Sequence, residues 1–304
     1  MFPRLRRGGL QWTGALPGAV VAALLCCANS GAAQHEATQR ALDRALSGTS
    51  AVAVVLDDAD GRLLAVERPR EAAERASAPG STLKPFFLAA ALEKGAIRED
   101  TTLECHRHLR ILGRDLTCSH PAALTAFRAE DALAYSCNSY FAQLSERFTP
   151  QQVIAVLEQA GLGSPPHLFA GESAGMLREA DSDGEQALQV LGLEGVTATP
   201  AQMAEAYWQL WRRIDAAPTV RRGLEESVEY GMANPARTEG VALLGKTGTA
   251  SDAGQAWTHG WFAGMASCGG QRIVVTIYVP RGNGGDAALL AHRFLSAWRS
   301  AVTR

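Results

Sequence analysis

The chain has 304 residues, of which 47% are hydrophobic, enough to bury a substantial core in one large domain or two lobes. The formal net charge is −2 and no basic block stands out, which sets nucleic acid aside as a partner. Of 29 basic residues only Lys84, Lys94 and Lys246 are lysine. A position that stays lysine in such a chain asks for something arginine cannot do, such as losing a proton.

Residues 1–33 read as an export signal. Arg4, Arg6 and Arg7 precede the apolar run ALPGAVVAALLCCA (15–28), and small residues follow up to Ala33. The run falls short of the ~20 apolar residues of a comfortable membrane span, although an uncleaved anchor is the alternative. Bulky Leu25 and Cys26 precede Cys26 and Cys27, which argues against lipid attachment. The expected location is the periplasm or another extracytoplasmic compartment.

After the signal, 35–46 alternates like a short helix. Residues 50–68 hold two apolar runs around Asp-Ala-Asp-Gly, a hairpin turning at Gly61. From Ser81 a helical apolar spacing runs to Gly95, a C-terminal cap. Residues 96–235 are mostly helical in pattern, with two helical stretches in 126–148. Further helices open on Thr149-Pro150 and Thr199-Pro200, a capping residue followed by proline at the first helical position. Trp208 and Trp211 share a helix face and read as core packing. The segments 240–251, 258–268 and 272–282 read as three strands, and 286–302 as a closing amphipathic helix. Strands at both ends with helices between imply one sheet built from chain-distant pieces with a helical lobe inserted.

Four cysteines follow the signal: Cys105, Cys118, Cys137 and Cys268. Cys105 and Cys118 flank HRHLRILGRDLT, which reads as a hairpin through Gly113, and an exported protein can keep a disulfide there. That pairing is the expectation. The rival is a metal site, since His106, His108 and His120 lie beside those thiols. Cys-x-x-His followed by Cys-x-His is not a standard zinc spacing, and an oxidising compartment works against it, so no metal and no cofactor are expected.

Three short elements carry chemistry. Ser81 and Lys84, three apart past the Gly80 break, can touch on one helix face. A helix start there would favour negative charge on an attacked carbonyl oxygen. Serine is a poor nucleophile until a base takes its proton, and Lys84 is that base if burial and nearby cations lower its pKa. Alone, the pair is equally a capping serine beside a solvated lysine. Ser136 and Asn138 flank Cys137 in a polar break; alone they read as helix caps. Lys246, Thr247, Gly248 and Thr249 read as an edge strand. Its glycine admits another backbone, and its cationic, hydroxyl-rich ledge suits a carboxylate.

Taken in order, Ser-x-x-Lys, Ser-x-Asn and Lys-Thr-Gly form the motif set of penicillin-binding proteins and serine β-lactamases. The sequence resembles the transpeptidase domain of class B penicillin-binding proteins over roughly 48–303, including ALAYSCNSYFAQL, GVTATPAQMAEAYW, HGWFAGMA and RIVVTIYVPRGNGGDAA. The resemblance implies an α/β (α+β) fold: an antiparallel sheet with terminal helices (48–80 and 240–304) and an inserted all-helical lobe (about 81–239). It implies catalytic Ser81, Lys84, Ser136, Asn138 and Lys246, with Thr247, Gly248 and Thr249 binding substrate. Ser81 would attack the D-Ala-D-Ala bond of a peptidoglycan stem peptide, and the N–H groups of Ser81 and Thr249 would form an oxyanion hole. β-Lactams would acylate Ser81, and cell-wall synthesis proteins are the expected partners. The competing readings are a serine β-lactamase, for which Glu158, Glu172 and Glu179 are candidate deacylating bases by position but none stands in a Glu-x-x-Leu-Asn context, and a non-catalytic β-lactam-binding or sensor module.

Overall fold

The computed structural model describes residues 34–303, so the expected export signal lies outside it. A helix through 34–46 (α1) precedes the hairpin β1 (Val52–Asp57) and β2 (Leu63–Glu67). The Asp57 and Asp60 carboxylates accept the N–H groups of Ala59 and Arg62, and Gly61 takes φ +75°, so the Asp-Ala-Asp-Gly turn closes as its sequence predicts. After α2 (Pro69–Glu74), a 3-10 turn over Gly80–Leu83 runs directly into α3 (Lys84–Glu93).

The inserted segment carries two small two-stranded sheets besides its helices. β3 (Leu103–Glu104) pairs with β6 (Ala126–Phe127), and β4 (His108–Ile111) pairs with β5 (Arg114–Thr117) around Gly113. The helices that follow are α4 (Ala129–Ala134), α5 (Asn138–Ser145), α6 (Pro150–Gln159), α7 (Asp183–Val190), α8 (Pro200–Trp211) and α9 (Pro218–Glu229). Both Thr-Pro openings form reciprocal capping boxes, Thr149 with Gln152 and Thr199 with Gln202. The chain ends in β7 (Ala242–Ala250), β8 (His259–Cys268), β9 (Gln271–Val279) and α10 (Gly284–Val302).

The two chain ends meet in one antiparallel sheet of order β2-β1-β9-β8-β7, with β7 at its edge. Side chains alternate across it. Val52, Val54 and Leu56 enter the core shared with α3 to α9, while Ala53 and Val55 join Leu42, Phe294 and Trp298 of α1 and α10. Burial on both faces explains why β1, β8 and β9 read as near-continuous apolar runs.

Trp208 and Trp211 pack as expected, but against the sheet's turns rather than each other. Trp208 covers Gly61 and donates to Asp58 O at 2.9 Å, and Arg272 lies over Trp211. Among the described residues, no helix is long and apolar enough to cross a membrane.

Candidate active site

Ser81 stands in the 3-10 turn rather than in the first turn of an α-helix. Pro85 has no N–H, so an α-type bond onto Ser81 O cannot form, and Lys84 N donates to it instead. Ser81 is half-buried while Thr82, Leu83 and Lys84 are buried.

The approach to Ser81 is pinned by residues that the motif search passed over. Ser77 exchanges backbone hydrogen bonds with Ala198 at 3.1 and 3.0 Å. Ala78 N donates to Asp252 Oδ1 at 2.9 Å, and Ala78 O accepts from Trp261 Nε1 at 3.0 Å and lies 2.7 Å from His259 Nε2. His259 and Trp261 are fully buried, and a buried ring with a polar tip needs a partner; this is the signal HGWF carries.

Backbone then packs on backbone. Gly80, at φ +56°, donates to Gly192 O at 2.8 Å. A Cβ on Gly192 would lie 2.1 Å from Gly80 O, and one on Gly248 would lie 2.5 Å from Pro79 O. The close approach expected at Gly248 is thus made by the chain leading into Ser81. A Cβ on Gly80 would also meet Thr249 O at 2.8 Å and Thr249 N at 3.0 Å, so the first and third motifs touch through their main chains.

The second motif joins them through side chains. Lys84 Nζ donates to Ser136 O (2.8 Å), Ser136 Oγ (3.1 Å) and Asn138 Oδ1 (2.7 Å). Lys246 Nζ donates to the same Ser136 Oγ at 2.8 Å and to Thr247 O at 3.1 Å. Ser136 adopts φ +56°, uncommon for a residue with a side chain, between α4 and α5. The N-cap of α5 is Cys137, whose sulfur accepts from Tyr140 N, so neither Ser136 nor Asn138 caps the helix and both are free to face the lysines.

Both ammonium groups are fully buried, and among the described residues neither forms an ion pair. Burial lowers the Lys84 pKa to about 8, against a smaller opposing effect from Cys137 and Cys118. Lys246 is pushed well below the ordinary lysine value, first by burial and then by the charge of Lys84. Lys94, the third lysine, is exposed and lies over Phe148, apart from these contacts.

The expected ledge divides across the edge strand, because neighbouring side chains point to opposite faces. Lys246 turns toward Ser136. Thr247 Oγ1 donates to Met232 O at 3.4 Å, and Thr249 Oγ1 accepts from Gly284 N at 2.9 Å, which leaves the exposed Thr249 hydroxyl a proton to donate.

Residues 51–295 match the family model of the penicillin binding protein transpeptidase domain. The chain belongs to that family. A curated relative, stage V sporulation protein D of Bacillus subtilis, is 31% identical over 133 residues, which are 42% of this chain and 20% of that protein. The chain therefore spans about a fifth of that relative's length. The transpeptidase domain of penicillin-binding protein 3 from Burkholderia pseudomallei superposes with a TM-score of 0.75 at 22% identity, covering 87% of this chain and 92% of that one. The D,D-transpeptidase domain of a peptidoglycan glycosyltransferase from Eggerthella lenta gives 0.74 at 24% identity, covering 86% and 80%. The family fold agrees with the antiparallel sheet and inserted helices described above.

Within this penicillin-binding-protein domain the expected cysteine pairing needs revision. The Cys105–Cys118 disulfide is not formed. Both are free thiols, and Cys137 Sγ stands 3.5 Å from Cys105 Sγ and 3.8 Å from Cys118 Sγ, a third thiol that the reading of the hairpin alone left out. None of the three glutamates considered as a β-lactamase base makes a hydrogen bond to the motif residues. Glu172 accepts from Leu168 N and Phe169 N in its own loop, Glu179 pairs with Gln151, and Glu158 is exposed.

The Gly80–Gly192 contact yields a direct test. Gly192 (φ +73°) and Gly95 (φ +65°) both take left-handed backbone, but a Cβ meets nothing within 4 Å at Gly95. Gly192→Ala should therefore cost about 1–3 kcal/mol more than Gly95→Ala, the usual range for overpacking. Denaturant titration of the two variants measures the difference.

Proposed function

We propose that this domain is an exported serine D-Ala-D-Ala transpeptidase of peptidoglycan synthesis, covalently acylated by β-lactams. The single observation that carries the reading is Ser136 Oγ, held at 3.1 and 2.8 Å from two buried amines, Lys84 and Lys246.

In this reading Ser81 Oγ attacks the carbonyl between the two D-alanines and its proton passes to the neutral amine of Lys84. The N–H groups of Ser81 and Thr249 hold the developing oxyanion, and losing one such donor typically costs about 3 kcal/mol of barrier. Ser136, bonded to both lysines, carries a proton to the departing D-alanine nitrogen as the amide bond breaks. Asn138 accepts from Lys84 and orients its amine. The exposed Thr249 hydroxyl, with a proton left to donate, receives the terminal carboxylate. The Ser81 ester is then attacked by an amine of a second stem peptide, which forms the cross-link and frees Ser81. With none of the three glutamates bonded to the motif residues, rapid hydrolysis of a penicilloyl ester has no evident base, so a bound penicillin should persist.

Ser81→Ala should abolish covalent labelling by a fluorescent penicillin in a protein that still melts cooperatively; persistent labelling would remove Ser81 as nucleophile. Lys84→Arg keeps the charge but cannot accept a proton, and should slow acylation on the order of 10²–10⁴-fold. In the wild type only unprotonated Lys84 acts as base. Its lowered pKa makes the acylation rate climb as pH rises toward about 8 and level off above it, which stopped-flow acylation across pH reads directly. Incubation with a stem pentapeptide, with and without an amine acceptor, followed by mass spectrometry separates the outcomes. A transfer product supports the transpeptidase, a tetrapeptide alone points to a carboxypeptidase, and no reaction together with no penicillin labelling overturns the reading.

A further inference from the structure

The thiols of Cys105, Cys118 and Cys137 and a ring nitrogen of His120 all lie within 4.8 Å of one another. Cys137 Sγ is 3.5 Å from Cys105 Sγ and 3.8 Å from Cys118 Sγ, and Cys105 Sγ is 3.1 Å from His120 Nε2. On a tetrahedral Zn²⁺, bonds of about 2.3 Å to sulfur and 2.0–2.1 Å to nitrogen set neighbouring ligands roughly 3.6–3.8 Å apart. The two Sγ–Sγ separations from Cys137 match those a zinc ion would impose, Cys105 Sγ and His120 Nε2 stand closer, and every other pair lies within 4.8 Å. Cys118, His120 and Cys137 are buried and Cys105 half-buried, as in a closed structural site. His106 and His108, the other histidines beside these thiols in sequence, are exposed.

We propose that Cys105, Cys118, His120 and Cys137 bind one Zn²⁺ ion, and that this ion fixes the Ser136–Asn138 turn of the active site. Three thiols and an imidazole match zinc's preference for soft sulfur and nitrogen donors. A disulfide accounts for the cluster less well, because any one pairing leaves the third sulfur and His120 without a function. The surroundings fit a ligand cage. His120 Nδ1 lies 3.1 Å from Pro121 O and 3.2 Å from Arg107 Nη1; zinc on Nε2 would put the ring proton on Nδ1, where Pro121 O accepts it. The Arg107 guanidinium donates to the carbonyls of Cys118 (3.4 Å), His120 (2.9 Å) and Pro121 (3.1 Å), holding the loop that carries two ligands. Three thiolates around Zn²⁺ leave one net negative charge, which Arg107 and the N-terminal N–H groups of α5 face, Tyr140 N–H among them.

The placement gives the ion its consequence. Cys105 follows β3, Cys118 and His120 follow β5, and Cys137 is the N-cap of α5. One ion would tie these three segments together directly beside Ser136, whose left-handed backbone needs support from its surroundings. The cysteines and His120 are positioning residues in this scheme. Ligation would also keep three thiolates from oxidising outside the cytoplasm.

The test uses the full chain, purified reduced, with zinc measured by plasma mass spectrometry and then exchanged for Co²⁺. The expected result is one zinc per chain and a cobalt spectrum with tetrahedral visible bands and thiolate charge transfer. Cys118→Ser should lose the metal, whereas His120→Cys should keep it with stronger thiolate charge transfer, so that a poorly folded serine variant does not decide the matter. Chelation should slow penicillin acylation on the order of tenfold or more, and added Zn²⁺ should restore it. The metal stoichiometry stands apart from the acyl-transfer reading, so either can fail alone. Reduced protein that takes up neither Zn²⁺ nor Co²⁺, metal content unchanged in Cys118→Ser, or a native disulfide among the three cysteines found by non-reducing peptide mapping would each overturn the proposal.

Discussion

Two lysines buried around one serine hydroxyl, with no carboxylate among the described residues bonded to either, are the constraint on which the site depends. A buried ammonium without an anion is costly, and two that share an acceptor also repel each other. The protein can relieve this by giving up a proton, which leaves an amine able to accept one from a neighbouring alcohol. The hydrogen bonds to Ser136 O, Ser136 Oγ and Asn138 Oδ1 hold Lys84 in place while burial lowers its proton affinity. Lys246 has fewer bonds and feels the charge of Lys84, so the pair responds to titration jointly rather than as two independent cations.

The amines work only if the serine turn stays beside them, and main-chain packing does this. Gly80, Gly192 and Gly248 let the Ser81 turn, the loop after α7 and the edge strand approach at distances no Cβ would allow. His259, Trp261 and Asp252 then fix Ala78 from the sheet side. Sheet and turn together bring the Ser81 turn against the main chain of the third motif, more than 160 residues further along the chain.

Much of this was legible in the sequence because the informative residues are chemically constrained. Apolar runs bounded by turn residues gave the hairpin and the three late strands, Thr-Pro openings gave two helix starts, and the scarcity of lysine drew attention to Lys84 and Lys246. Other features were hidden for physical reasons. Whether Ser81 starts an α-helix turns on the missing N–H of Pro85, a local detail overridden by helical periodicity. The division of Lys246 from Thr247 follows from strand alternation, which a linear motif does not display. The expected disulfide failed because spacing within a hairpin says nothing about a third thiol arriving from Cys137, and the same distant contact is what assembles four metal-type ligands.

The account makes the second motif a junction: lysines meet on one side of Ser136, and the cysteine cluster anchors the residue that follows it. At the centre of the site two buried lysines, both with lowered proton affinity, flank the Ser136 hydroxyl. Because the chain has only three lysines, ¹³Cε-lysine labelling resolves them in a simple spectrum that can be followed against pH. The account predicts that the Lys84 signal, assigned through Lys84→Arg, titrates at about 8, with Lys246 also well below the ordinary lysine range. Titration of both at the ordinary lysine value of 10.5 would contradict it.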